Sequence, residues 1–290
     1  MQAAGRKYIW YPSRTTEIKL VYFSDIHWFA KACSEKSVLA QVREIRDDPA
    51  TFWIGGGDYG EFIGYQDSKR FDPDAVSERV KVKDLGRLGK ATYESLRDVV
   101  FNPIKHKCLG LLMGNHERAY MNHTQQGDLH GWLCTELGVP NLGYSCLMDV
   151  ICVNTKGTKV PCLGPFVPPK CDTRGSTTFR VFCHHGAGAA QTKGGKINRL
   201  VSFMRIVEAD IYIMGHVHDQ MGARLTPLTA NADCTKITNS TKIGVISGSY
   251  LKTYAQGVTS YGEQKGYEPT TLGAAHVQIR PDTREVWGRV

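Results

Sequence analysis

Apolar residues along the chain gather in short, nearly unbroken runs separated by polar and glycine-rich segments. Runs of about four to eight such residues between turn formers predict strands buried on both faces. They fall near residues 18–24, 51–55, 107–113, 143–153, 177–183, 210–214, 243–247, 274–280 and 284–288, the last two joined through the turn "RPDTRE". Apolar positions recurring at three and four predict helices over about 35–47, 84–101, 128–137 and 195–208. Strands and helices alternate and then give way to a strand-rich end, an α/β pattern.

The polar residues that follow these runs carry the chemistry. "YIMGHVHDQ" sets His216 and His218 one residue apart just beyond the run "ADIYIM". On an extended chain, side chains two apart project to the same side, and two imidazoles aimed at one point suit a metal ion. "VYFSDIHW" ends another run with Asp25 and His27 in the same spacing, and "TFWIGGGDYGEF" ends a third with Asp58 after three glycines. "CLGLLMGNHERAY" ends a fourth with Asn115 and His116, and "FRVFCHHGAG" ends a fifth with His184 and His185. Every candidate ligand lies just past the C-terminal end of an expected strand, where α/β sheets build their sites. His106, His123 and His130 lack such spacing.

Length and composition bound the rest. A chain of 290 residues with 41% hydrophobic content can bury a large core, and no linker divides it, so residues 1–290 are expected to form a single domain. The start, "MQAAGRKYIWYPSRTTEIKL", has no apolar leader, and no window reaches transmembrane length, so a cytoplasmic protein is expected. Nine cysteines without a C-x-x-C pair read as reduced, mostly buried thiols. The irregular spacing of Cys146, Cys152, Cys162 and Cys171 argues against structural zinc, which brings ligands in close pairs.

Taken in order, D-x-H, G-D, G-N-H-E, H and G-H-x-H form a signature that resembles the calcineurin-like metallophosphoesterases, of bacterial or phage type, and it spans residues 25 to 218. The resemblance implies a four-layer αββα sandwich with a dinuclear metal site at one end of the sheets. It implies that Asp25, His27 and His218 hold one divalent ion, that Asn115, His184 and His216 hold the other, and that Asp58 bridges the two. In loops of this type the first histidine is usually the ligand, which favours His184 and leaves His185 supporting it. His116 resembles the family's histidine that meets the substrate phosphate and aids the leaving oxygen.

This donor set makes chemical sense. A bridging carboxylate holds two cations close enough for one hydroxide between them to attack phosphorus in line. Imidazole and amide ligands complete the coordination without adding negative charge that would repel a phosphoester. Mixed nitrogen and oxygen donors suit Mn, Fe, Zn or Ni, with Mn favoured.

The substrate is expected to be a phosphodiester in a nucleotide or nucleic acid, which makes a nuclease one form of the activity. "GDYGEFIG" departs from the "GDxVDRG" of protein phosphatases. A net charge of +8 favours a polyanionic partner. "SGSYLKTYAQGVTSYGEQKGYEP" interleaves Tyr250, Tyr254, Tyr261 and Tyr267 with Lys252 and Lys265, and rings set among cations stack bases and meet phosphates. Lys252 and Tyr254 are the residues expected to bind substrate. The alternatives are a small-molecule phosphomonoesterase and a binding scaffold of the same fold that no longer catalyses.

Overall fold

A strand covered on both faces must be apolar at odd and even positions alike, and the buried runs of this chain sort cleanly by parity. The computed structural model describes residues 1–68, 71–124, 127–164, 173–188 and 190–290, the side chains of Thr173 and Tyr261 excepted. Its strands are β1 (Gln2–Tyr11), β2 (Ile18–Phe23), β3 (Thr51–Gly55), β4 (Cys108–Leu111), β5 (Ser145–Thr155), β6 (Cys162–Gly164), β7 (Thr173–His184), β8 (Ile211–Met214), β9 (Met221–Leu225), β10 (Leu228–Ala230), β11 (Ile237–Asn239), β12 (Lys242–Ile246), β13 (His276–Arg280) and β14 (Glu285–Arg289). The main helices are α1 (Glu35–Asp47), α2 (Leu88–Ser95), α3 (Asn115–Thr124), α4 (Leu129–Leu137) and α5 (Lys193–Ile206).

Two sheets stack face to face. One has seven strands in the order β6-β1-β5-β7-β8-β12-β9, and the other five, β14-β13-β2-β3-β4. Leu20 and Tyr22 of β2, Phe52 and Ile54 of β3, Val181 and Cys183 of β7, and Ile211 and Ile213 of β8 meet in the layer between the sheets. Val21, Phe23 and Trp53 point the other way, into a second cluster with Val38, Val42 and Ile45 of α1 and Leu129 and Leu133 of α4. Phe182, Tyr212 and Met214 point outward on the far sheet against Leu200 and Met204 of α5. The result is the expected αββα sandwich, with parallel pairing of β2 with β3, β3 with β4, and β7 with β8.

The helix expected over 84–101 is composite: a 3₁₀ stretch at Val82–Arg87, then α2, then a π stretch at Leu96–Phe101. Helix α1 occupies its expected span and ends on a lysine, since the Lys107 ammonium donates to the carbonyls of Ile45, Arg46 and Asp48 at 2.6, 3.0 and 2.7 Å. A cation on these helix-end carbonyls stabilises the helix end and fixes the start of β4. Strand β1 and the β10–β11 arm were not expected. Among the described residues no helix is long and apolar enough to cross a membrane, and the eight described cysteines form no disulfide with one another. Cys146 and Cys152 lie in the core between the sheets, while Cys171 lies outside the described residues.

Candidate metal centre

The parallel strands of both sheets deliver the candidate ligands to one end of the sandwich. Asp25 and His27 follow β2, Asp58 follows β3, Asn115 follows β4, and His216 and His218 follow β8. They do not continue the strands as extended chain. Asp25, His27, Asp58, His216 and His218 all have positive φ, between 49 and 71°. Left-handed backbone at residues other than glycine costs on the order of 1–3 kcal/mol each and marks a site whose surroundings over-determine it. The spacing of two residues therefore brings side chains together through left-handed turns, and the expectation of extended segments is corrected.

Main-chain bonds lock the turns to one another. Asp25 donates to the Gly57 carbonyl at 2.9 Å, His27 to Asp58 at 3.1 Å and Trp28 to Tyr59 at 2.9 Å. Gly57 and Gly114 pack so closely that a Cβ on Gly57 would lie 2.6 Å from Gly114 backbone, which explains glycine at both. Glu117 closes the arrangement, accepting N–H bonds from Gly114 at 2.8 Å, Asp58 at 3.0 Å and Tyr59 at 2.7 Å.

Three overlapping groups of donors result: Asp25, His27 and His218; His27, Asp58 and His116; and Asp58, His185 and His216. The histidine pair is where the structure departs from expectation, since His185 and not His184 stands beside Asp58 and His216. Strand alternation is the cause. His184 ends β7 on the same face as Phe182, and its ring stacks on Phe203 of α5 with centroids 4.7 Å apart. Its Nδ1 accepts the Gly186 N–H at 2.8 Å. His185 turns inward, fully buried, with Nε2 3.0 Å from the Asn115 side-chain oxygen and 3.4 Å from Asp58 Oδ2.

The chemistry of the donors suits a cation. Asp25 and Asp58 are 0% and 1% exposed, and among the described residues no lysine or arginine pairs with either; their partners are His218 and His185. Buried carboxylates without a lysine or arginine to neutralise them are costly. His185 Nδ1 lies 2.7 Å from the Gly56 carbonyl, which only accepts, so that nitrogen carries the hydrogen and Nε2 turns a lone pair toward two oxygens. A cation or a second proton relieves that arrangement. Burial disfavours a charged His185 ring, but Asp58 outweighs it and pushes the pKa up to about 9, so metal and proton compete for one position. The same logic holds at His27, whose Nδ1 meets Glu61 Oε2 at 3.1 Å while Nε2 faces His218 Nε2 at 3.3 Å.

His116 takes its own place. Its N–H donates to Asp58 Oδ1 at 2.9 Å, and its ring stands edge-on to His27 with centroids 4.7 Å apart. Nδ1 lies 2.7 Å from the Glu61 carbonyl, so it carries the hydrogen and Nε2 is left for a ligand. A cavity of about 400 Å³ opens over His27, Asp58, Asn115, His116, His216 and His218, and Lys252 also lines it. Tyr254 does not: its exposed hydroxyl donates to the Tyr267 carbonyl at 2.9 Å, and it is Tyr267 that reaches the cavity. The side chain of Tyr261 lies outside the described residues.

Sequence reasoning passed over Glu61 and Glu117. The motifs held the signal, because a glutamate three residues after Asp58 and another two after Asn115 are acids beside a predicted site.

No protein-family model and no curated sequence matches the chain. Among solved structures, a conserved protein from Streptococcus pneumoniae described as a predicted phosphoesterase is similar over 95% of this chain and 99% of its own, at 10% identity and a TM-score of 0.34. A single mutant of Vps29 from Entamoeba histolytica is similar over 90% and 86%, at 11% identity and 0.34. The calcineurin-like phosphoesterase YfkN from Bacillus subtilis is similar over 91% and 85%, at 11% identity and a TM-score of 0.36.

Proposed function

We propose that this protein is a calcineurin-like, metal-dependent phosphoric ester hydrolase acting on a phosphodiester. The observation that carries the reading is the convergence of imidazole lone pairs on two buried carboxylates that no lysine or arginine neutralises among the described residues. In this reading Asp25, His27 and His218 hold one divalent ion, Asn115, His185 and His216 the other, and Asp58 serves both. Such ions, when bound, supply Lewis acidity toward phosphoryl oxygens and an activated water. Mn is the favoured metal on donor chemistry.

The protein's own groups do the rest. Glu61 holds the hydrogen of His27 at Nδ1, which keeps Nε2 a donor to the ion and orients the ring. The Glu61 carbonyl orients His116 by taking its Nδ1–H. Burial disfavours a charged ring, but Asp58 outweighs it and raises the pKa, so in the imidazolium form Nε2–H would meet the phosphoester and pass its proton to the departing oxygen. Lys252, on the cavity wall, supplies a cation to the substrate beyond the reacting phosphate.

Purified protein assayed on bis-p-nitrophenyl phosphate and p-nitrophenyl phosphate, with and without Mn, tests the reading. Mn-dependent hydrolysis that favours the diester is expected. A strong preference for the monoester supports a phosphomonoesterase instead, and silence with every divalent metal supports a non-catalytic scaffold.

A further inference from the structure

The cavity over the candidate ligands extends beyond them. At about 400 Å³ it has the size of a small-molecule pocket, and its remaining walls come from Lys196 of α5, from Gly188, Ala190, Gln191 and Val217, and from residues between 251 and 270. Most hydroxyls there are already committed to the main chain. Ser260 donates to the Thr253 carbonyl, Thr253 to Glu268 at 3.2 Å and Thr270 to Leu251 at 2.7 Å. These bonds knit the segment into a formed wall and leave two ammonium groups as its principal donors.

Lys196 is held in place rather than neutralised outright. Its Nζ lies 3.3 Å from Asp219 Oδ2, and the other Asp219 oxygen accepts the Thr271 hydroxyl at 3.1 Å. An ammonium has three donors, so the one engaged by Asp219 leaves two for a ligand. The side chain is only 12% exposed and lines the cavity. Lys252 lines it from a different segment and has no ion pair among the described residues. Glu268 lies on the same wall, where it suits a hydroxyl or amino group and disfavours a phosphate at every step of a polymer.

We infer that this part of the cavity receives a second anionic group of the substrate at Lys196 and Lys252. The substrate class is then a phosphoester of about mononucleotide size that bears a further phosphate, not a long nucleic acid. The inference rests on the phosphoesterase reading above and specifies the partner of the same site.

Titration calorimetry of the Mn-loaded protein with adenosine monophosphate and with an adenosine bisphosphate, whose second phosphate sits elsewhere on the ribose, tests it. The bisphosphate is expected to bind roughly 10-fold more tightly, the scale of one added charge-assisted contact. Lys196→Gln and Lys252→Gln should each shrink that ratio to roughly 3 or less, and Lys196→Arg should retain it. Lys236→Gln, the same charge loss on the β10–β11 arm, should leave it unchanged. Equal affinities in the parent protein, or a ratio that survives both glutamine substitutions, overturns the inference. Hydrolysis of bis-p-nitrophenyl phosphate, measured in parallel, reports on the phosphoesterase reading separately, because the binding ratio does not depend on turnover.

Discussion

The carboxylate of Glu117 accepts the main-chain N–H of Asp58 at 3.0 Å. It also takes the N–H groups of Tyr59 and Gly114, so one buried side chain ties the loop after β3 to the loop after β4 and fixes the residue proposed to serve both ions. Glu117→Ala leaves three buried donors without partners, at about 1–3 kcal/mol each. A loss of stability on the order of 3 kcal/mol or more is expected from urea unfolding, together with weaker Mn binding. Parent-like stability would show that water or loop movement replaces the carboxylate.

Asp58→Asn should abolish turnover and weaken both ions, since an amide cannot serve two cations as a carboxylate does. In the parent protein Mn should raise the midpoint of thermal unfolding, because a ligand that binds only the folded state stabilises it. In the variant most of that rise should disappear. Calorimetric titration that still finds two tight sites would defeat the bridging assignment.

His184 and His185 provide a sharp comparison of neighbours. His185→Ala removes a nitrogen from beside Asp58 and Asn115 and should lower Mn affinity at least about 10-fold. His184→Ala removes a ring packed on Phe203, so it should cost stability on the order of 1 kcal/mol while two ions still bind. The reverse pattern of metal affinities would restore His184 as the ligand.

The sequence exposed the site more readily than it exposed its frame. Every motif ends a run such as "KLVYF" or "IYIM", buried on both faces and therefore visible as an unbroken apolar stretch. Strand β1 was hidden because most of its residues are exposed or half-buried, and in "QAAGRKYIWY" the short run "YIWY" follows six residues with neither a run nor a clean alternation. Helix α3 begins on the site residue Asn115 itself, so its first turn reads as motif rather than as helix. Strand parity sets His184 apart from the other donors. Phe182 and His184 share a face, and that face belongs to α5. The left-handed turns have no sequence marker at all, since Asp25 and His27 are held in them by main-chain bonds to the loop after β3, and His216 by its N–H to the Asp25 carboxylate.

Glu61 makes the most discriminating test, because it uses two different parts of itself. Its carboxylate reaches His27 and its carbonyl reaches His116. Glu61→Ala removes only the first contact, so Mn affinity should fall roughly 10- to 100-fold, the usual cost of losing a partner behind a metal-binding histidine. At saturating Mn the dependence of rate on leaving-group quality should remain that of the parent, since the main chain still orients His116. His116→Ala should do the opposite. It should keep both ions and lower the rate by roughly 10² to 10⁴, with the larger losses on esters whose leaving groups are poor and need a proton. The two variants, compared across a series of substituted phenyl phosphodiesters with Mn affinity measured alongside, separate holding the metal from helping the leaving group. Should Glu61→Ala steepen the leaving-group dependence as His116→Ala does, the carboxylate acts on His116 as well, and the division of labour drawn from the two distances is wrong.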